Sequence, residues 1–182
     1  MNSIQKISSQ AILLLQILLI ATPVVTLLPW IAKSALNGPY YGIFVFGKYV
    51  AYKDVAWATG SLTLGIFAQI VSIGPFMMAL FVLRSVFKNY YQGEIFSTKN
   101  ARHYRKLAWL FLLEASLIQS LSKQLLIIAV WISSSSSIVP PELFNAEPSN
   151  FKALSMSILF IMLANAIMLE GRQLQEEQNL TV

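Results

Sequence analysis

Polar residues interrupt this chain at long intervals and leave four apolar runs, near residues 11–31, 61–87, 107–132 and 151–169. None of the four alternates with the two-residue period of a half-buried strand. A helix rises about 1.5 Å per residue, so about 20 apolar residues cross a hydrocarbon core, and each run reaches or approaches that length. In lipid every backbone polar group must be satisfied within the protein, which leaves helices or closed barrels, and unalternating runs do not fit the barrel pattern. The expected fold is an all-α membrane protein, a four-transmembrane-helix bundle forming a single membrane domain over residues 1–182.

Breaks in the runs refine this picture. Pro23 falls in the first run and Gly74-Pro75 in the second, and proline removes a backbone donor and crowds the preceding turn, so both helices should kink there. No repeat of these breaks in two halves of the chain suggests a transporter-type discontinuous helix. Ser61, Gly65, Ala68 and Ser72 recur at helical spacing, a stripe that would let another helix approach closely. Between the first two runs, residues 40–53 are aromatic and β-branched around Gly47-Lys48, which favours a short external β-hairpin from Gly42 to Phe46 and Tyr49 to Tyr52. Tyr40, Tyr41, Tyr49, Tyr52 and Trp57 read as an interfacial aromatic belt rather than a ligand cage. Residues 133–150, with five consecutive serines before Pro140-Pro141, read as an external loop.

Composition agrees with lipid as the solvent: 56% of the 182 residues are hydrophobic and 12% charged. The first run continues too long for a signal peptide and meets no prompt small-x-small site, so it is expected to stay as a span. The formal net charge of +5 is unevenly placed. Arg84, Lys88, Lys99, Arg102, Arg105 and Lys106 crowd the connection 88–106 and its edge, opposed there by Glu94 alone. The positive-inside rule therefore makes that connection cytoplasmic. Lys33, Lys48 and Lys53 are spread over a longer first connection, and the third carries Lys152 beside Glu142 and Glu147, so both belong outside. Both termini, with Lys6 and Arg172, then lie in the cytoplasm.

The third run is chemically the richest. Glu114 and Lys123 lie within it, together with Ser116, Gln119, Ser120, Ser122 and Gln124, and such residues are costly in lipid. Ser116, Gln119, Ser120 and Lys123 share one side of a helix, while Glu114 falls on the opposite side, nine residues or half a turn out of phase with Lys123. Asn165 of the fourth run and Gln69 of the second are possible partners. Glu114, Gln119, Lys123 and Asn165 form the candidate intramembrane polar site. It has two readings: interhelical hydrogen bonding with snorkelling by Lys123, or a polar, proton-responsive pocket centred on Glu114.

Several chemistries are disfavoured. The chain has no cysteine, so it forms no disulfide or thiolate site. Its one histidine, His103, stands among cations and makes a poor start for a zinc site. Triad, phosphate-loop, dinucleotide and zincin patterns are absent from the sequence, and neither an enzyme nor any cofactor or metal is expected. Arg102, Arg105 and Lys106 read as contacts for anionic lipid headgroups or a partner, not as a nucleic-acid reader. Ser97 is a fitting cap for a helix that carries Thr98 to Lys106 as an extension of the third span.

Two segments resemble a known family. Gly93-Glu94-Ile95-Phe96-Ser97, followed by Asn100, and the ending from Gly171 to Val182 are similar to the bacterial membrane family catalogued as domain of unknown function 2975. In that family a Gly-x-x-Phe-Ser segment opens the third helix, and a Gly-x-x-Leu-x-x-Glu-Gln/Asn-x-Leu-Thr-Val ending follows the fourth. Gly93, Phe96, Ser97, Leu174, Glu177, Leu180, Thr181 and Val182 match. The resemblance implies a multi-pass protein of the bacterial inner membrane and, since members often accompany a small helix-turn-helix protein encoded nearby, the membrane half of a regulatory pair. Arg172, Leu174, Glu176, Glu177 and Leu180 in the tail 170–182 are then candidate contacts for that partner, alongside the lipid bilayer and a second copy of the chain. The competing expectation is a transport or permeation component with a polar path through the third helix.

Overall fold

Helices account for nearly all of the described residues, as the four apolar runs require. The computed structural model describes residues 3–32, 42–45, 48–133 and 151–180, with the backbone alone described at 29, 43–45, 48–49, 151–153, 172 and 174–180. Helix α1 spans Ser3–Ile31, α2 Thr59–Tyr91, α3 Thr98–Leu113, α4 Gln119–Ser133 and α5 Phe151–Leu180. A π turn, Glu114–Ile118, joins α3 to α4 without a break, so Thr98–Ser133 is one helical span. Among the described residues, four helices are long and apolar enough to cross a membrane. The helices outrun the apolar runs at polar ends: the third span measures roughly 54 Å against a hydrocarbon core of about 30 Å, so its polar first turns extend the helix.

The β-hairpin between α1 and α2 is present as a two-stranded ribbon, β1 (Gly42–Val45) with β2 (Lys48–Ala51). Its antiparallel register pairs Gly42 with Ala51 and Val45 with Lys48. The second strand begins and ends one residue before the expected Tyr49 to Tyr52, because Tyr52 opens a short 3-10 turn, Tyr52–Asp54. Phe46, Tyr40, Tyr41 and the serine loop 134–150 lie outside the described residues.

The chain packs as two units. Residues within Met1–Ile20, Pro75–Ala115 and Asn150–Val182 form the first, and those within Ala21–Gly74 and Ser116–Ser149 the second. Along three helices the division falls at or beside a local irregularity: Pro23 in α1, Gly74-Pro75 in α2 and the π turn in the third span. Both prolines are carried within their helices. Near the first, the Thr26 hydroxyl donates to the Thr22 carbonyl at 2.7 Å.

The second unit has an aromatic core. Trp30, Tyr52, Val55, Ala68, Leu126 and Val130 are buried together, with Trp57 partly buried against them. The rings of Trp30, Tyr52 and Trp57 meet pairwise at 5.1–5.7 Å in tilted or edge-on contacts, geometries that suit the ring quadrupoles. The Trp57 indole N–H donates to the Tyr52 carbonyl at 2.9 Å. Tyr52 is thus a core residue with Trp57 packed against it, a correction at Tyr52 to the expected interfacial belt. The small-residue stripe of α2 does serve packing, but what approaches Gly65 is an indole: a Cβ there would come 2.4 Å from the Trp30 ring. One turn earlier, the Ser133 hydroxyl donates to the buried Ser61 hydroxyl.

Candidate functional site

The connection between α2 and α3, where the basic residues gather, is a closed structure. The end of α2 is a Schellman motif: Gly93 N–H donates to Tyr90 O at 3.0 Å and Glu94 N–H to Asn89 O at 2.9 Å. Gly93 adopts φ +86°, a left-handed conformation that costs any residue with a Cβ about 1–2 kcal/mol. Four residues on, Ser97 caps α3 by accepting from Asn100 N–H at 3.2 Å, as its residue type predicts.

Asn100 fastens both ends. Its side chain is fully buried, and its amide donates to Glu94 O at 2.6 Å and Ile95 O at 2.9 Å while its oxygen accepts from the Asn89 amide at 2.7 Å. One side chain therefore satisfies two loop carbonyls and ties α2 to α3. The Tyr90 and Tyr104 hydroxyls, 2.7 Å apart, add a second tie between the same helices. The exposed Lys99–Glu94 pair at 3.4 Å contributes little, since water screens it. His103 carries a buried Nδ1 with no hydrogen-bond partner among the described residues. No grouping of three or more His, Cys, Asp or Glu that could hold a metal occurs among the described residues.

Helix α5 packs antiparallel along α3 through a seam of small residues. Ala101 and Ala108 on α3 and Ala115 in the π turn, seven apart along the third span, are all buried, as are Ser157 and Ala164 on α5, with Gly171 the next in that heptad. Small side chains at every second turn let two backbones approach, which is how membrane helices associate when no hydrophobic effect drives them together. The closeness is visible in the bond from the Ser157 hydroxyl to the Ala108 carbonyl, 2.8 Å. Beside the seam, Phe160 stacks on Phe111 (5.5 Å) and Tyr104 (6.0 Å). Near the far end, a Cβ on Gly171 would lie 3.7 Å from the Phe96 carbonyl. The two segments that carried the family resemblance are thereby neighbours. Since Gly171 is level with Phe96, residues 172–180 continue the helix past the connection by roughly 14 Å. The side chains of Arg172, Leu174, Glu176, Glu177 and Leu180 lie outside the described residues.

The polar residues of the third span are distributed differently. Glu114 opens the π turn and is half-buried, in the first unit with Asn165, which is exposed. Gln119 is exposed and Lys123 half-buried, both in the second unit, where Ser122 is buried and donates to Gln119 O at 3.1 Å. Gln69 is half-buried there too. The π turn interrupts the regular helix between Glu114 and Lys123, so the half-turn separation reckoned at 100° per residue does not carry across it. Of the basic residues, Arg102, Arg105 and Lys106 are exposed.

Sequence reasoning named Asn100 only within the family resemblance and missed its clasp, Asn89 and the α3–α5 seam. The heptad of small residues, Ala101-Ala108-Ala115 against Ser157-Ala164-Gly171, was the signal that could have found the seam. Taken together, the apolar helices and the clasped connection define a multi-pass, predominantly helical membrane protein. The family model described as Protein of unknown function (DUF2975) matches residues 43–182, and the chain belongs to that family. No curated protein and no solved structure matches it.

Proposed function

We propose that this protein is a regulator embedded in the bacterial inner membrane, with both termini in the cytoplasm, that binds or sequesters a small helix-turn-helix transcription regulator through its 88–106 connection and its C-terminal tail. The observation that carries this reading is the course of α5, which passes the connection at Gly171 and continues as helix through residues 172–180. A helix end standing clear of the α2–α3 turn offers Leu174 and Leu180 as apolar contacts and Glu176 and Glu177 as charged ones, the ingredients of helix-mediated docking. The cytoplasmic placement rests on the excess of Lys and Arg in the connection. A regulator of this kind needs no catalytic residue, cofactor or metal. Deleting residues 173–182 while preserving insertion should abolish co-purification with a helix-turn-helix product of a neighbouring gene. Retained binding would remove the tail from the reading.

One observation favours a second reading, a transport or permeation component. The π turn Glu114–Ile118 is a form that recurs at functional sites within helices, and it opens on the carboxylate of the third span. Reconstituted vesicles should then show a flux that Lys123→Gln or Glu114→Gln reduces, whereas regulator binding should be indifferent to both changes.

A further inference from the structure

One face of α3 is turned away from its neighbours and changes character along its length. Lys99, Arg102, Arg105 and Lys106 are exposed, and Trp109 (70% exposed) and Leu113 (42%) continue the same stripe at helical spacing. The opposite faces are occupied: Ala101 is buried, Ala108, Tyr104 and Phe111 meet α5, and Asn100 and Tyr104 reach α2.

The third span itself sets the depth of that stripe. Its apolar run begins at Leu107, directly after Lys106, and its polar first turns extend the helix beyond the hydrocarbon. Arg102, Arg105 and Lys106 therefore stand at the edge of that run, with Trp109 and Leu113 inside it. Side chains on a helix lean toward its N-terminus, here toward the membrane surface, which carries the cationic groups to the level of the headgroups.

We infer that the Arg102, Arg105, Lys106, Trp109 and Leu113 face of α3 binds an anionic phospholipid, its phosphate between the cations and its acyl chain on Trp109 and Leu113. The order along the helix, cation to indole to leucine, is the order of a lipid from headgroup to tail. An acidic protein segment would answer the charges and leave the indole and leucine without a role. The inference is independent of the tail, which every variant below leaves intact.

The test uses the full chain in phosphatidylcholine vesicles carrying a trace of chain-spin-labelled phosphatidylglycerol or, separately, spin-labelled phosphatidylcholine. Electron paramagnetic resonance should show a larger motionally restricted fraction for phosphatidylglycerol. The combined change Arg102→Gln, Arg105→Gln, Lys106→Gln should abolish the preference, at about fivefold in relative affinity for each cation removed. The charge-keeping pair Arg102→Lys, Arg105→Lys should retain it. If the triple variant fails to insert, Arg105→Gln alone carries the test with an expected drop of about fivefold. Equal restriction of the two lipids by the unaltered protein overturns the inference, as does a preference that survives the triple change. A preference abolished by inorganic phosphate but not by chloride of equal ionic strength overturns it in favour of a free anion. Crosslinking from a photoreactive group at position 109, in native membranes, overturns it if the adduct is an acidic protein and supports it if the adduct is phospholipid.

Discussion

The two packing units solve one problem by opposite means. In lipid there is no hydrophobic gain from burying one apolar side chain against another, so helices associate through close packing and hydrogen bonds. The first unit reaches close packing by subtraction: alanine, serine and glycine at heptad spacing bring α3 and α5 together until a serine hydroxyl touches the other backbone. The second reaches it by filling, with Trp30 seated on Gly65 and two further aromatic rings against it. Polar groups follow the same division. The first unit spends a buried asparagine on fastening a turn, whereas the second pairs two buried serine hydroxyls at the ends of their helices. Small-residue seams fail when something is added, and aromatic cores fail when something is added under a ring or taken from it.

The largest effect is expected at the clasp. Asn100→Leu strands the Glu94 and Ile95 carbonyls and the Asn89 amide in a partly buried place, at about 1–3 kcal/mol for each group left unpaired, so thermal denaturation in detergent should show a severe loss. Next comes Gly65→Ala, whose methyl group drives into Trp30 and should cost about 1–3 kcal/mol. The pair Gly65→Ala with Trp30→Leu should recover part of that cost. Strictly additive losses would show that the indole does not depend on the missing Cβ. Gly93→Ala should cost about 1–2 kcal/mol through its left-handed backbone, with open space around the new methyl group. The smallest change, Ser157→Ala, removes one interhelical bond and should lower stability by about 0.6 kcal/mol. If it exceeded Gly65→Ala, the contrast between a seam held by shape and a core held by rings would be reversed.

The sequence displayed the spans plainly because hydrocarbon imposes a length and a polarity that few other environments do. The Ser97 cap was legible as well, since capping is a property of a few adjacent residues. Tyr52 was misread for the converse reason: its burial depends on Trp30, which comes to it across the intervening ribbon, and an aromatic residue near a span end looks the same whether it meets headgroups or another ring. The π turn was invisible because α and π backbones draw on the same residue types. Of the polar positions in the third span, the sequence could state that they are costly but not where each points. The α3–α5 seam lay hidden in alanines, which are common enough in any helix that only their seven-residue spacing marks them.

The clasp at the α2–α3 turn has a consequence for how the chain comes to be built. Every bond that closes it, from Asn89 and Tyr90 to Asn100 and Tyr104, joins residues near one another in sequence. Such contacts form early, because little loop entropy opposes them. The pair α2 and α3 is thus a hairpin that can take its shape at the insertion machinery before α5 has left the ribosome. α5, made last, docks onto a surface already waiting for it, and a nascent chain ending before residue 150 should already hold the turn closed.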